Sequence, residues 1–227
     1  MPSKGIKWFS ESTFRKNVEA SRKMYEFLER DFEVCVEYVA LDMHHLKVYS
    51  FRLANLILRI GPEILRLFNL LLFDPGYKKH LQPETEKKIL NIQTKKEKRR
   101  DTFMDYLRIF PVLKKKCVTV KALEIDIIPF KTEKRKLPHG KEYRDVVFWW
   151  EDGYNALRHR VIREFEKSAT LEHALYSLAG LWVLHDLLDR AWPRQEPSKS
   201  EFFFQPVDKN PCGSENIYPV KGLEDKH

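Results

Sequence analysis

Between Phe148 and Arg160 the chain reads Phe-Trp-Trp-Glu-Asp-Gly-Tyr-Asn-Ala-Leu-Arg-His-Arg, the densest concentration of reactive side chains in the sequence. On a regular helix Glu151, Asn155 and His159 recur every fourth residue and share one face, with Tyr154 and Arg158 as a neighbouring pair. An imidazole titrates near neutral pH and passes protons readily. A guanidinium presents a planar fork of donors that fits a phosphate. His159, Arg158, Arg160, Asn155 and Tyr154 are therefore the candidate catalytic set, able between them to pass a proton and to hold a phosphate. The competing reading is a polar network that closes a helix bundle, with Glu63 of an opposing helix as its partner. Trp149 and Trp150 read as core anchors in preference to a platform for stacking bases.

A second signal is charge. The chain carries 41 Lys and Arg against 33 Asp and Glu. Residues 1–85 hold 13 basic and 11 acidic side chains, residues 86–144 hold 18 and 8, and residues 145–227 hold 10 and 14. The positive excess lies in the middle third. It contains three clusters: Lys95, Lys96, Lys98, Arg99 and Arg100; Lys114, Lys115 and Lys116; Lys134, Arg135 and Lys136. Clusters of this kind suit the phosphate backbone of a nucleic acid. Few aromatics interleave with them (Phe103, Tyr106, Phe110), which favours shape and charge recognition of structured RNA over base stacking.

The elements that must position these residues are mostly helical. Apolar periodicity predicts helices from a Ser12 N-cap to about Arg30, from about Phe32 to Ile60, and from Pro62 to Phe73. Gly61 is expected to break the second and third apart, Pro62 suiting the first turn of a new helix. Shorter helices are expected over Glu84–Ile92 and Asp101–Ile109. Residues 118–130 are β-branched and partly alternating, which predicts a short extended or β insert. Residues 131–144 read as a loop. Two helices follow, Trp149–Lys167 and Thr170–Ala191, the second with Ala179 and Gly180 permitting close approach. The expected architecture is a mostly α helical bundle in one domain, residues 1–192, with the basic insert at 86–144. An irregular, Pro-punctuated C-terminal tail, residues 193–227, carries Phe202, Phe203 and Phe204. Such a cluster is too apolar for free solvent and is expected to wrap the domain or dock on another chain.

At 43% hydrophobic and 33% charged residues the chain can build a core. The apolar stretch from Leu53 to Phe73 holds Arg59, Glu63 and Arg66, each costing about 3 kcal/mol at the centre of a bilayer, so no membrane span is expected. No secretory signal opens the sequence, and three dispersed cysteines (Cys35, Cys117, Cys212) form no disulfide framework, which together predict a cytoplasmic protein. His44, His45, His173 and His185 lack metal-ligand spacing, so neither a metal nor another cofactor is expected. Gly-rich phosphate loops and nucleophile-elbow motifs are absent from the sequence.

Three stretches together resemble an uncharacterised group of prokaryotic helical proteins: Ser50–Phe68, the segment from Ile127 to Phe130 leading into Trp149–Arg160, and Ser168–Trp182. That group is similar in turn to the HEPN superfamily of helical bundles, many of which are ribonucleases in toxin–antitoxin and defence systems. The resemblance covers roughly residues 40–190 and is most specific in the Trp-Trp…Tyr-Asn…Arg-His-Arg run. It implies an HEPN-like bundle that binds RNA or a ribonucleoprotein in stress or defence. It also implies, as one alternative, a metal-independent endoribonuclease in which His159 activates a ribose hydroxyl and Arg158 or Arg160 holds the phosphate. The chain departs from the ribonuclease pattern of that superfamily, because Asp152, Gly153 and Tyr154 stand where an arginine precedes the histidine. A further alternative is a non-catalytic module that forms a homodimer through Phe202–Phe204.

Overall fold

The computed structural model describes residues 6, 8–74, 83–97, 103–136, 143–191 and 203–207. They form a mostly helical domain with two small antiparallel sheets inserted in mid-chain. Helix α1 spans Glu11–Tyr38 and α2 spans Phe51–Leu72; α3 (Pro83–Glu97) and α4 (Phe103–Ile109) follow. A short 3₁₀ turn, Pro111–Lys115, leads into strands β1 (Val118–Val120), β2 (Ile125–Ile127), β3 (Glu133–Lys136) and β4 (Tyr143–Val146). A π-helical turn, Trp149–Asn155, runs into α5 (Ala156–Ser168), then come α6 (Leu171–Ala191) and strand β5 (Phe204–Pro206).

The first helices differ from expectation in where they break. Helix α1 begins one residue after Ser10, whose hydroxyl accepts from the Thr13 amide, and runs through the expected break near residue 31. The true interruption is residues 39–50. There Leu46 and Val48 offer their carbonyls to the Glu172 and Leu171 amides, and Tyr49 bridges Thr170. Ser50 then caps α2 by accepting from the Leu53 amide at 3.1 Å. Helix α2 continues straight through Gly61-Pro62. Pro62 is solvent-exposed and the carbonyl it leaves unbonded belongs to the half-exposed Leu58, where water can satisfy it. Gly61 serves packing instead of breaking. A methyl there would lie 2.2 Å from the ring of Tyr154.

Helices α2 and α6 pack along one another, with α1 against both and the π turn with α5 covering α2 and α6 further along. Helix α6 is buried almost all round, from Leu171 to Leu188, which places it at the centre of the core. Gly180 on that helix admits the rim of Phe130 and the indole of Trp149 at 3.2 and 3.4 Å from the place of a Cβ. The close approach expected of Gly180 is therefore to aromatic rings. Polar residues also cross this interface. Arg22 of α1 donates to Asp189 of α6 at 2.9 and 2.6 Å, and Glu63 accepts from Ser21 and, at 2.9 and 2.8 Å, from Arg66. No helix among the described residues is long and apolar enough to cross a membrane.

The insert is more ordered than its composition suggests. Strands β1 and β2 pair within the expected extended segment, and β5 of the tail adds to the other edge of β1, with Phe204 opposite Val120. Phe203 and Phe204 are buried in their own chain, Phe203 edge-on to Phe32 and Phe204 against Trp182. Part of the tail thus belongs to the domain, and these two rings are spent inside it instead of on a partner; Phe202 lies outside the described residues. The stretch read as a loop contains a hairpin, with Arg135 of β3 opposite Arg144 of β4.

Because Trp150 presses on Tyr154 at a ring separation of 4.6 Å, the tyrosine cannot retreat from Gly61. Gly61→Ala sets a helix-propensity gain of about 1 kcal/mol against an overpacking cost of about 2 kcal/mol or more. The clash is expected to win, lowering the midpoint of a urea unfolding curve; an unchanged or raised midpoint would contradict this packing.

Candidate functional site

The Trp149 indole is fully buried and donates to the Pro129 carbonyl at 2.6 Å. Its ring meets Phe130 and Phe103 edge-on, and Trp150 stacks flat on Phe103 at 4.0 Å. Such aromatic pairs contribute about 1 kcal/mol beyond their burial. Neither tryptophan offers a free face, so both are core anchors, as expected. The backbone between them and α5 is wound as a π turn, a wider coil that shifts the register of whatever follows. A kink at Arg160 (φ −135°, ψ 21°) turns the chain again. Arg158, His159 and Arg160 are consequently all exposed.

The outer side of this turn lines a cleft of about 590 Å³. Its basic groups are Arg108 of α4, Arg144 of β4 and Arg160 of α5; Glu151, Asn155 and His159 come from the π turn and α5, and Tyr143 stands at β4. Arg144 donates to the Glu151 carboxylate at 2.6 Å. Arg160 lies 3.3 Å from the Glu151 carbonyl, 4.0 Å from its carboxylate and 3.4 Å from Glu164. Arg108 pairs with Asp105 at 2.8 Å. His159 and Asn155 have no hydrogen-bond partner for their side chains among the described residues. The cleft thus combines guanidiniums, an accessible imidazole and an amide, a set that can hold an anion and exchange a proton.

The sequence candidates divide accordingly. His159, Asn155 and Arg160 line the cleft. Tyr154 is 5% exposed and wedged between Trp150 and Gly61, so it positions the turn and cannot touch a ligand. Arg158 is exposed but does not line the cleft. Glu63 joins Ser21 and Arg66 and not the Glu151–His159 face, because Gly61 and Glu63 point to different neighbours of α2.

Among the basic clusters, Lys95 pairs with Asp105 at 2.6 Å, and Lys96 lies on α3; Lys98, Arg99 and Arg100 fall outside the described residues. Lys116 is buried and faces Asp186 at 3.5 Å, which removes it from any partner's reach; Lys114 is half-buried and Lys115 exposed. Arg135 bridges Glu133 and, at 2.5 Å, Asp152, and the Asp152 bond above all raises its pKa further. It fastens the hairpin to the π turn, leaving Lys134 and Lys136 exposed on the opposite face of β3. Arg108 and Arg144, the arginines that the basic segment contributes to the cleft, stand alone in sequence and belong to none of its clusters. The only sequence signal for them is the charge excess of the segment itself.

Among the described residues no group of His, Cys, Asp and Glu is arranged to hold a metal ion. Compared with protein families, curated proteins and solved structures, the chain shows no significant match to any of them.

Behind the turn lies His173, buried against Phe148, with its Nδ1 2.8 Å from the Thr170 hydroxyl. Burial lowers its pKa from the ordinary 6.5, outweighing the opposite pull of Glu172 and Asp152. Unfolding therefore takes up a proton below that pH, and the stability His173 confers is lost as pH falls. Urea denaturation from pH 7 to about pH 5 is expected to show a steeper loss for the wild type than for His173→Gln. Equal slopes would contradict a neutral, buried His173.

Proposed function

We propose that the protein is an HEPN-like RNA-binding protein acting in stress or defence, and that the cleft beneath the π turn is where it takes hold of RNA phosphates. The observation that carries this reading is the convergence of three arginines from separate elements on one concavity that also holds a histidine and an asparagine whose side chains have no hydrogen-bond partner among the described residues. Guanidiniums bind phosphate oxygens in pairs and with direction, which scattered lysines do not. Structured RNA, possessing dense phosphates and irregular grooves, suits a site of this shape better than base-by-base readout.

A metal-independent ribonuclease is the second reading, favoured by the exposure of His159 on the cleft beside Arg160. In that reaction His159 would take the proton of a ribose 2′-hydroxyl, whose oxygen attacks the adjacent phosphorus while the 5′-oxygen leaves. Arg160 and Arg144 would hold the phosphate.

Fluorescence anisotropy with a labelled RNA hairpin tests both. Affinity is expected to fall roughly tenfold or more between about 50 and 200 mM salt. Arg144→Ala and Arg108→Ala should each weaken binding by about tenfold. His159→Ala should retain most of the affinity and abolish any cleavage. A flat salt response with unaffected arginine variants would remove the RNA reading, and cleavage that survives His159→Ala would remove the catalytic one.

A further inference from the structure

The arginines of the cleft already hold an anion that belongs to the chain. Glu151 sits on the π turn with its carboxylate 19% exposed, close to Arg144 on one side and Arg160 on the other. Arg144 comes from β4 and Arg160 from the first half of α5, at its kink, and both reach towards Glu151, at 2.6 and 4.0 Å from its carboxylate. Arg135, opposite Arg144 on the hairpin, holds the next carboxylate, Asp152. Hairpin and turn are thus clasped through consecutive acids. Only the outer of these two clasps, Arg144 on Glu151, lies in the cleft.

A carboxylate and a phosphodiester both present a singly charged pair of oxygens to a guanidinium. Whatever anion enters the cleft must therefore compete with Glu151 for Arg144 and Arg160. We propose that Glu151 is a built-in competitor, occupying the anion site of the cleft until a phosphate group displaces it. The identity of the ligand as RNA rests on the function proposed above; the competition itself rests on the ion pairs. Two consequences follow from such an arrangement. The guanidiniums are held in the cleft and kept from straying while no ligand is bound. Weakly anionic or poorly placed ligands are rejected, because they do not repay the loss of the internal pair.

The opposite role for the same residue predicts the opposite sign. If Glu151 only orients the arginines for the ligand, removing its charge loosens them and weakens binding. Removing any acid from the cleft also strengthens anion binding through the general field, and Asp145 provides the control, being an exposed acid that lines the same cleft.

The experiment measures the affinity of the full chain for two probes, a labelled RNA hairpin and inorganic pyrophosphate, in wild type, Glu151→Gln, Asp145→Asn, Arg144→Ala and the double variant Glu151→Gln/Arg144→Ala. Thermal melts establish that each variant is folded, and Glu151→Ala serves as a second replacement if the glutamine variant is not. Glu151→Gln is expected to bind both probes about tenfold more tightly and Asp145→Asn at most about twofold more tightly, and the double variant should bind no more tightly than Arg144→Ala alone. Binding of Glu151→Gln that is equal to or weaker than wild type overturns the proposal, as does an equal gain in Asp145→Asn or a failure of Glu151→Gln to bind either probe. If pyrophosphate follows the expected pattern while no variant binds RNA, the competition stands and the RNA reading falls. If wild type binds RNA and Glu151→Gln shows no gain, the RNA reading stands and the competition falls.

Discussion

The indole of Trp149 is the fixed point of the molecule. Its N–H is committed to the Pro129 carbonyl, and its ring is enclosed by Phe103, Phe130 and the bare backbone of Gly180. A buried indole donor without an acceptor would cost about 1–3 kcal/mol, so the Ile127–Phe130 segment and the turn at 149 must move as one. Trp150 then stacks on Phe103, Tyr154 fits against Gly61, and the chain is wound into a π turn between them. Everything that lines the cleft from this side hangs from that anchorage: Glu151, Asn155, His159 and Arg160 point outward because the alternate residues are pinned inward.

The second constraint is electrostatic. Each cleft arginine is balanced by a local acid: Arg108 by Asp105, Arg144 by Glu151, Arg160 by Glu151 and Glu164. These pairs are half-exposed, and as stabilising contacts they are worth little, about 0–1 kcal/mol each. Their value is geometric, since they hold flexible side chains in one concavity at small cost in stability. A ligand phosphate that replaces a carboxylate there gives up little folding energy. Two groups deeper in the bundle behave differently: Arg22 and Glu63 are buried, so losing Asp189 or Arg66 would strip a buried charge of an ionic partner.

Much of this was legible in the sequence, and the failures have physical causes. Helix α6 stands out because its side chains are apolar or small on almost every side, and the segment at 118–130 because it is β-branched and partly alternating. The Phe203-Phe204 pair was legible as a segment that needs covering. The break between α1 and α2 was not, because residues 32–50 mix charge and apolar side chains without a clear period. Gly61-Pro62 reads as a stop in any single sequence; that the glycine receives a ring and the proline faces solvent is decided by Tyr154, far along the chain. The π turn leaves no trace in a periodicity built on α-helical spacing. Of the Trp-Trp…Arg-His-Arg run, Glu151, Asn155, His159 and Arg160 line the cleft. Arg108 and Arg144, which line the same cleft, are isolated arginines that no run or period marks. The charged strands Glu133–Lys136 and Tyr143–Val146 look like loop because they are largely exposed.

On the reading proposed above, RNA enters the cleft beside His159. The most direct measurement is NMR of the histidine imidazole resonances during titration with an RNA hairpin. The account predicts that the His159 ring signals shift saturably with bound RNA, while those of His173 and His185, enclosed in the core, stay in place. RNA that binds while the His159 signals remain unmoved would contradict it.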